Sequence, residues 1–448
     1  PGLRAPLIGR DVELARLEAA VERLVKEGYG QVIIISGEAG LGKSRLLAEL
    51  WERIGRRQVR ILQSTCLAHT SNINYFPFIE ILRNYLGLGT GPMEGSAWEH
   101  LHARLEALVP DLVLEKLAPL GNLLGFPLPE SERERLQMLN PAQLQSRTFL
   151  AVRDLLVAEA KNQPLIVALD DLHWADELTL DLLTFLVDAV QQAPLMLIAT
   201  SRPLHGDSSA KLGPVARTKV PDRYLHLRLE ELSAADTETL LKALVVAPDL
   251  PEEFRQTMLA RAEGNPFYLE EMLRMLIDQG VLYRADGAGW QLKPDADLAA
   301  LAVPPTLQGL IMARFDRLPE DLRYILQTAS VIGYWVPEKL LAAVLDPDSD
   351  TEAWQSQLRE LVALDFLRVQ RESPEREYVF RHAITQDAVY HSLLHRRREV
   401  LHQQVAEAIE RLYAHRLEER LDELAQHYLL SPAREKALHY ALLAAQHA

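Results

Sequence analysis

The stretch Gln31-Val32-Ile33-Ile34-Ile35-Ser36-Gly37-Glu38-Ala39-Gly40-Leu41-Gly42-Lys43-Ser44 decides the fold. It reads as a short strand, Gln31–Ile35, then a glycine-rich loop, then a helix over Arg45–Arg53. Gly37, Gly40 and Gly42 let the backbone turn its N–H groups inward, where they can cradle phosphate oxygens. The following helix aims its positive N-terminal end at the same point. Lys43 is placed for the β- and γ-phosphates of a bound nucleotide, and the Ser44 hydroxyl for Mg2+. Candidate nucleotide contacts are therefore Gly37, Ala39, Gly40, Leu41, Gly42, Lys43, Ser44 and Arg45, with ATP or ADP and Mg2+ as the expected ligands.

Such a loop needs a carboxylate on a nearby strand to hold the metal. Leu165-Ile166-Val167-Ala168-Leu169-Asp170-Asp171 supplies an apolar strand that ends in two acids. Asp170 is the candidate for the Mg2+ shell, and Asp171 for orienting or deprotonating the attacking water. Further out, the strand-like run Leu195–Thr200 ends in Ser201-Arg202. A cation at a strand tip can sense a γ-phosphate; a plain surface arginine is the other reading.

Strand-like runs at Val59–Gln63 and Tyr224–Leu229 complete a series separated by helical segments, starting with a helix over 11–27. That alternation predicts a parallel sheet covered on both faces, an α/β class. A long, mostly helical segment at 70–160, broken by Gly87, Gly89, Gly91 and Pro92, interrupts it. After 230 the pattern is wholly helical to about 282. Residues 305–395 predict helices at 306–316, 320–331 and 351–364, then two strand-like pieces, Phe366–Gln370 and Tyr378–Arg381. Glu372-Ser373-Pro374-Glu375 joins these two pieces, and three helices with a terminal hairpin form a winged-helix pattern. From 396 onward, amphipathic helices with small residues at contact points suggest the start of tetratricopeptide-like repeats, or else a plain helical cap. The expected domains are 1–230 with the insertion, 231–303 (helical), 304–395 (winged helix) and 396–448 (repeats).

Composition narrows the function classes. The 448 residues suggest roughly three domains. Net charge is −15, so phosphate backbones are repelled unless a local basic patch overrides it. Cys66 is the single cysteine, so no internal disulfide can form, which suits a reducing, cytoplasmic setting. The most apolar region, Leu182–Thr200, is interrupted by Asp188, Gln191, Gln192 and Pro194, and no membrane span is expected. The chain begins at Pro1 and stops inside a helical pattern, as a piece of a longer polypeptide would. Two further motifs read blandly by themselves. Gly264-Asn265-Pro266-Phe267-Tyr268-Leu269-Glu270-Glu271 is a loop opening a helix with proline near its start. His382, in Phe380-Arg381-His382-Ala383, is a lone histidine of structural or surface type.

Taken together, the motifs resemble the STAND class of P-loop ATPases, signal-transduction ATPases with numerous domains and relatives of the AAA+ group. The resemblance runs over about residues 5–448. It rests on Leu7-Ile8-Gly9-Arg10-Asp11, Asn74-Tyr75-Phe76-Pro77-Phe78, Asp170-Asp171-Leu172-His173-Trp174-Ala175-Asp176, Thr200-Ser201-Arg202, Gly264-Asn265-Pro266 and Phe380-Arg381-His382. Among bacterial members the chain is similar to the ATPase modules of large transcriptional activators and of proteins with an N-terminal nucleotidyl cyclase domain. Gly2-Leu3-Arg4-Ala5-Pro6 resembles the junction after such a cyclase.

The resemblance implies that Pro266 lies against adenine, that His382 reaches the β-phosphate of ADP, and that Ile8 and Arg10 lie near the base. It implies a regulatory switch with slow hydrolysis, a linked effector domain, a C-terminal repeat sensor and self-oligomerisation in the ATP state. No membrane is implied, and the winged helix serves as a lid. The helix at 351–364, with Glu352, Glu360 and only Arg359, is a poor surface for nucleic acid. The alternative is a DNA-associated AAA+ ATPase with a DNA-binding winged helix. No arginine finger or second-sensor arginine is identifiable, which argues against fast ring-driven turnover.

Overall fold

The computed structural model describes residues 6–55, 59–66, 73–87, 97–110, 113–126, 128–203, 211–245, 251–284, 290–293, 303–346, 354–372 and 375–447. Gly2–Ala5, Gly89, Gly91, Pro92, Glu352, Ser373 and Pro374, all singled out in the sequence, lie outside these residues.

In chain order the elements begin with α1 (Asp11–Glu27), β1 (Val32–Ser36), α2 (Lys43–Ile54), β2 (Arg60–Thr65), α3 (Phe76–Tyr85), α4 (Ala97–Leu108), α5 (Val113–Leu123), α6 (Glu130–Gln137) and α7 (Pro141–Asn162). Next come β3 (Leu165–Asp170), α8 (Glu177–Leu186), β4 (Leu195–Ser201), α9 (Leu212–Lys219), β5 (Tyr224–Arg228), α10 (Ala234–Leu244), α11 (Glu252–Ala262) and α12 (Pro266–Asp278). Then follow β6 (Leu282–Arg284), β7 (Trp290–Leu292), α13 (Leu307–Phe315), α14 (Glu320–Ile332), β8 (Trp335–Pro337), α15 (Glu338–Leu345), α16 (Gln355–Ala363), β9 (Leu367–Arg371) and β10 (Glu377–Phe380). The chain closes with α17 (Ala383–Ser392), α18 (His395–Leu412), α19 (Leu421–Leu429) and α20 (Arg434–His447).

The described residues form two compact units. The sheet unit takes Ala15–Ser36, Leu50–Arg228 and Ile409–Ala448. Its five strands run in the order β2-β3-β4-β1-β5, all parallel. β1 is buried at every position, as a central parallel strand covered on both faces must be. Its apolar sequence leaves no polar side chain to desolvate before Ser36. Ser36 stands in register with Ser201 at the ends of β1 and β4, and Asp170 ends β3 beside Thr65 of β2. The insertion is the expected run of helices, α3–α7. The longest, α7, is started by a capping box between Asn140 and Gln143 and packs apolar residues such as Val152, Leu155 and Leu156 into the core.

The loop unit takes Pro1–Leu14, Gly37–Glu49 and Leu229–Ala408. Helices α10–α12 gather around Leu240, Met258, Leu269 and Leu273. The expected unbroken helix region gives way at Leu282 to a two-stranded hairpin, β6 with β7. The 305–395 region also holds more than the sequence suggested. A third strand, β8, joins the hairpin in the order β8-β10-β9, and α15 follows it directly. Val336 is the buried centre of β8, a strand of three residues and too short for alternation to be read from sequence.

Candidate nucleotide site

The glycine loop belongs to the loop unit, and three neighbours shape it. Gly40 and Gly42 adopt φ of 86° and 92°, which a side chain would resist. A Cβ on Gly40 would come within 2.5 Å of the Asn265 side chain, whereas nothing lies within 4 Å of one on Gly42. Gly40 is thus a packing requirement, and Gly42 a conformational one. Lys43 starts α2, whose first turn holds no acid, so the helix terminus is free to favour an anion. The Lys43 ammonium is 7% exposed as a residue and donates to the carbonyls of Gly37 (2.7 Å) and Glu38 (3.1 Å). Ser44 and Arg45 are exposed beside it.

Asn265 ties this loop to α12. Its Oδ1 accepts from the N–H groups of Phe267 and Tyr268, each at 3.1 Å, which caps the helix that Pro266 opens. Its Nδ2 donates to the Ala39 carbonyl at 3.0 Å. The Phe267 N–H also reaches the Gly40 carbonyl at 3.4 Å. The His382 ring packs on Phe267, its centroid 4.1 Å away and its plane tilted by 48°. His382 stands at the N-terminal cap of α17. Its Nε2 is shielded from solvent and has no hydrogen-bond partner among the described residues. Burial holds its pKa down to about 3; Glu271 opposes the shift, and Arg274, Arg381 and Arg368 add to it.

Ile8 and Arg10 reach the same unit. Ile8 packs with the α10–α12 core. Gly9 sits at φ 67°, and a Cβ there would come within 2.9 Å of the Leu232 and Asp236 side chains. Arg10 is buried, and its Nη2 donates to the carbonyls of Leu41 (3.2 Å) and Glu230 (2.6 Å), with Glu13 at 3.6 Å. Burial works against its charge, and Glu13 and Asp236 partly offset that. Arg10 thus holds the loop in place through backbone carbonyls. Arg10 meets the loop directly at the Leu41 carbonyl, His382 is linked to it through Asn265 and Phe267, and Ile8 packs separately on the α10–α12 core. Sequence reasoning gave Asn265 and Phe267 no role of their own; for Asn265, its N-cap position ahead of Pro266 was the signal that could have singled it out.

The acids and Arg202 belong to the sheet unit. Asp171 sits at φ 54°, a left-handed backbone that few side chains adopt. Its N–H is 2.9 Å from the Thr200 hydroxyl and 3.2 Å from Asp170 Oδ1. Thr200 also donates to Asp170 Oδ1. His173 Nδ1 lies 3.8 Å from Asp171, and its ring packs on Trp174. Asp176 caps α8 through Thr179 and accepts from the Tyr75 N–H at 3.2 Å, so the Asn74–Phe78 segment is docked on the acidic motif. Arg202 follows β4 directly and is half-buried. Ser44 and Asp170 are oxygen donors of the kind that Mg2+ takes. Oδ2 of Asp170 accepts no hydrogen bond among the described residues. Those residues also hold no cluster of three metal-ligating side chains. Mg2+ usually takes most of its shell from phosphate and water.

Residues 6–198 match the AAA ATPase domain family. The match covers less than half of the chain. ATP hydrolysis is the chemistry of this family, and the glycine loop and the two acids both fall inside the matched residues. An uncharacterized protein of Rhizobium meliloti is 26% identical over 412 residues, covering 90% of this chain and 37% of that protein. Adenylate cyclase type 10 of Oryctolagus cuniculus is 20% identical over 379 residues, covering 76% of this chain and 23% of the cyclase. In fold, the chain is similar to the crystal structure of a STAND protein with a tetratricopeptide repeat sensor from Pyrococcus horikoshii. The TM-score is 0.54 at 13% identity, over 99% of this chain and 50% of that one. The matched residues are followed by helical domains, in a fold similar to that of the STAND protein, and the chain spans half or less of these relatives' lengths. Among the described residues no helix is long and apolar enough to cross a membrane.

Proposed function

We propose that this chain is a nucleotide-operated switch whose closed, ADP-bound form is off and whose ATP-bound form releases or assembles a linked effector. The observation that carries the reading is the chain of contacts from Ala39 and Gly40 through Asn265 and Phe267 to His382. Any ligand that fills the glycine loop acts on residues that also position α12 and α17. A ligand shifts such an equilibrium only by its differential affinity for the two forms. His382, whose Nε2 is shielded and unpaired among the described residues, supplies that difference if it meets the β-phosphate in the closed form alone.

In this reading Lys43 swaps its carbonyl partners for the β- and γ-phosphates. Pro266 and Ile8 face the base, while Arg10 holds the loop. Ser44 and Asp170 hold Mg2+, which when bound neutralises developing phosphate charge. Asp171 orients the attacking water, and Arg202 senses the γ-phosphate. Hydrolysis is slow and resets the switch in a cytoplasmic protein. The similarity to a cyclase and to a protein with a repeat sensor supports an effector on one side and a sensor on the other. Residues 304–395 act as a winged-helix lid, and α18–α20 begin the sensor repeats.

The test is to denature the purified protein and identify the released nucleotide by chromatography. Stoichiometric ADP supports the switch. An empty site with rapid ATP turnover, together with salt-sensitive duplex binding, would replace it with a DNA-associated ATPase.

A further inference from the structure

We propose that Thr200 is the residue that positions both acids of this ATPase, through one hydroxyl. The inference rests on the reading of Asp170 as metal ligand and Asp171 as water-orienting base. Thr200 lies one step beyond the Leu169–Ala199 pair of β3 and β4, opposite Asp170, and is fully buried. A hydroxyl has one proton and two lone pairs. Here the proton goes to Asp170 Oδ1, and a lone pair takes the Asp171 N–H at 2.9 Å.

Each half of that exchange has a consequence. Asp170 Oδ1 is committed to Thr200 and, more distantly, to the Asp171 N–H at 3.2 Å. The carboxylate cannot rotate without leaving a buried hydroxyl unpaired, so Oδ2 is the oxygen offered outward. Asp171 sits at φ 54°, a left-handed conformation that Asp tolerates better than most side chains, and its N–H is anchored there. The Thr200 lone pair is the nearer of the two acceptors on its N–H. Outer groups of this kind orient metal ligands, and their loss typically lowers activity by about 10- to 100-fold.

Thr200→Val keeps the shape and removes both the donor and the acceptor. Turnover of ATP by the full chain should fall about 10- to 100-fold in kcat, with KM changed by less than about 3-fold. The Mg2+ concentration that half-maximally slows release of a fluorescent ADP should rise, a readout that needs no turnover. Thr200→Ser restores the hydroxyl and should behave as the parent does. If Thr200→Val does not fold, Thr200→Cys, with a weak donor of similar size, carries the same test. A Thr200→Ser chain as impaired as Thr200→Val would assign the effect to the methyl group and overturn the proposal. So would an unchanged kcat and Mg2+ response in Thr200→Val while Asp170→Asn and Asp171→Asn are inactive. If those two asparagine variants keep full turnover, the underlying reading of the acids fails instead.

Discussion

Arg314 donates to Glu271 across 2.8 Å, and both side chains are almost wholly buried, at 3% and 4% exposure. The pair belongs to a larger network. Arg274 also pairs with Glu271 and, at 2.8 Å, with Asp365, while Arg314 reaches Asp278 and the Leu364 carbonyl. Burial works to raise the Glu271 carboxyl, but Arg314 and Arg274 hold it below its usual range. The network fastens α12, which carries Pro266, to α13 and to the turn ahead of β9. Removing one member strands the others: Glu271→Gln should destabilise the chain by about 3–5 kcal/mol in urea denaturation. Replacing Glu271, Arg274 and Arg314 together by apolar residues should cost far less. A small effect of the single substitution would show that water reaches the network.

Protonation of His382 gives a second expectation. Its pKa in the folded chain is about 3, against 6.5 when free. Below pH 6.5 the unfolded chain takes up a proton that the folded one refuses, so stability is fully present above 6.5 and declines as pH falls toward 3. The facing groups, Glu271, Arg274, Arg381 and Arg368, are those of the neighbouring network and strands. His382→Phe should flatten the urea midpoint between pH 6.5 and 5 relative to the parent, and an equal slope in both would remove His382 as the cause. His382→Ala should also speed ADP release, measured by displacement of a fluorescent ADP.

Asn265 separates two jobs. Asn265→Asp keeps the helix cap but loses the donor to Ala39, whereas Asn265→Ala loses both. Thermal unfolding should show about 1 kcal/mol lost in the alanine variant and little in the aspartate variant. ADP release should quicken in both. A release rate altered only in Asn265→Ala would assign the effect to the cap.

Lys43→Met tests the phosphate role. Its ammonium is satisfied by Gly37 and Glu38, so nucleotide binding exchanges one set of acceptors for another. Calorimetric titration should show ATP affinity reduced at least about 100-fold, roughly 3 kcal/mol, while the urea midpoint without nucleotide moves little. Retained affinity would move the phosphates away from this loop.

Local chemistry is what made the loop and the acids legible. Glycines at Gly40 and Gly42, the amine of Lys43 and the acids after an apolar strand carry their meaning within a few residues. Asn265, Phe267 and Thr200 act on partners as far as 226 residues away, a distance over which sequence pattern has no reach. Glu271, Arg274 and Arg314 would pass for the solvated face of a helix, because pairing that permits burial is a tertiary fact. The same limit hid β8 and the β6–β7 hairpin, whose three-residue strands exist through their neighbours.

Arg10 grips carbonyls of Leu41 and Glu230, residues far apart in sequence. Excision is where this matters. A gene fragment ending at Arg228 would contain every strand of the sheet, the whole glycine loop and both acids, yet it would lack Glu230, Asn265 and Phe267. Its loop would lose Asn265 and Phe267, and Arg10 would lose one of the two carbonyls that hold it. The shortest piece that keeps those supports and His382 runs through α17, so recognisable motifs and an autonomous nucleotide-binding fragment do not share a boundary.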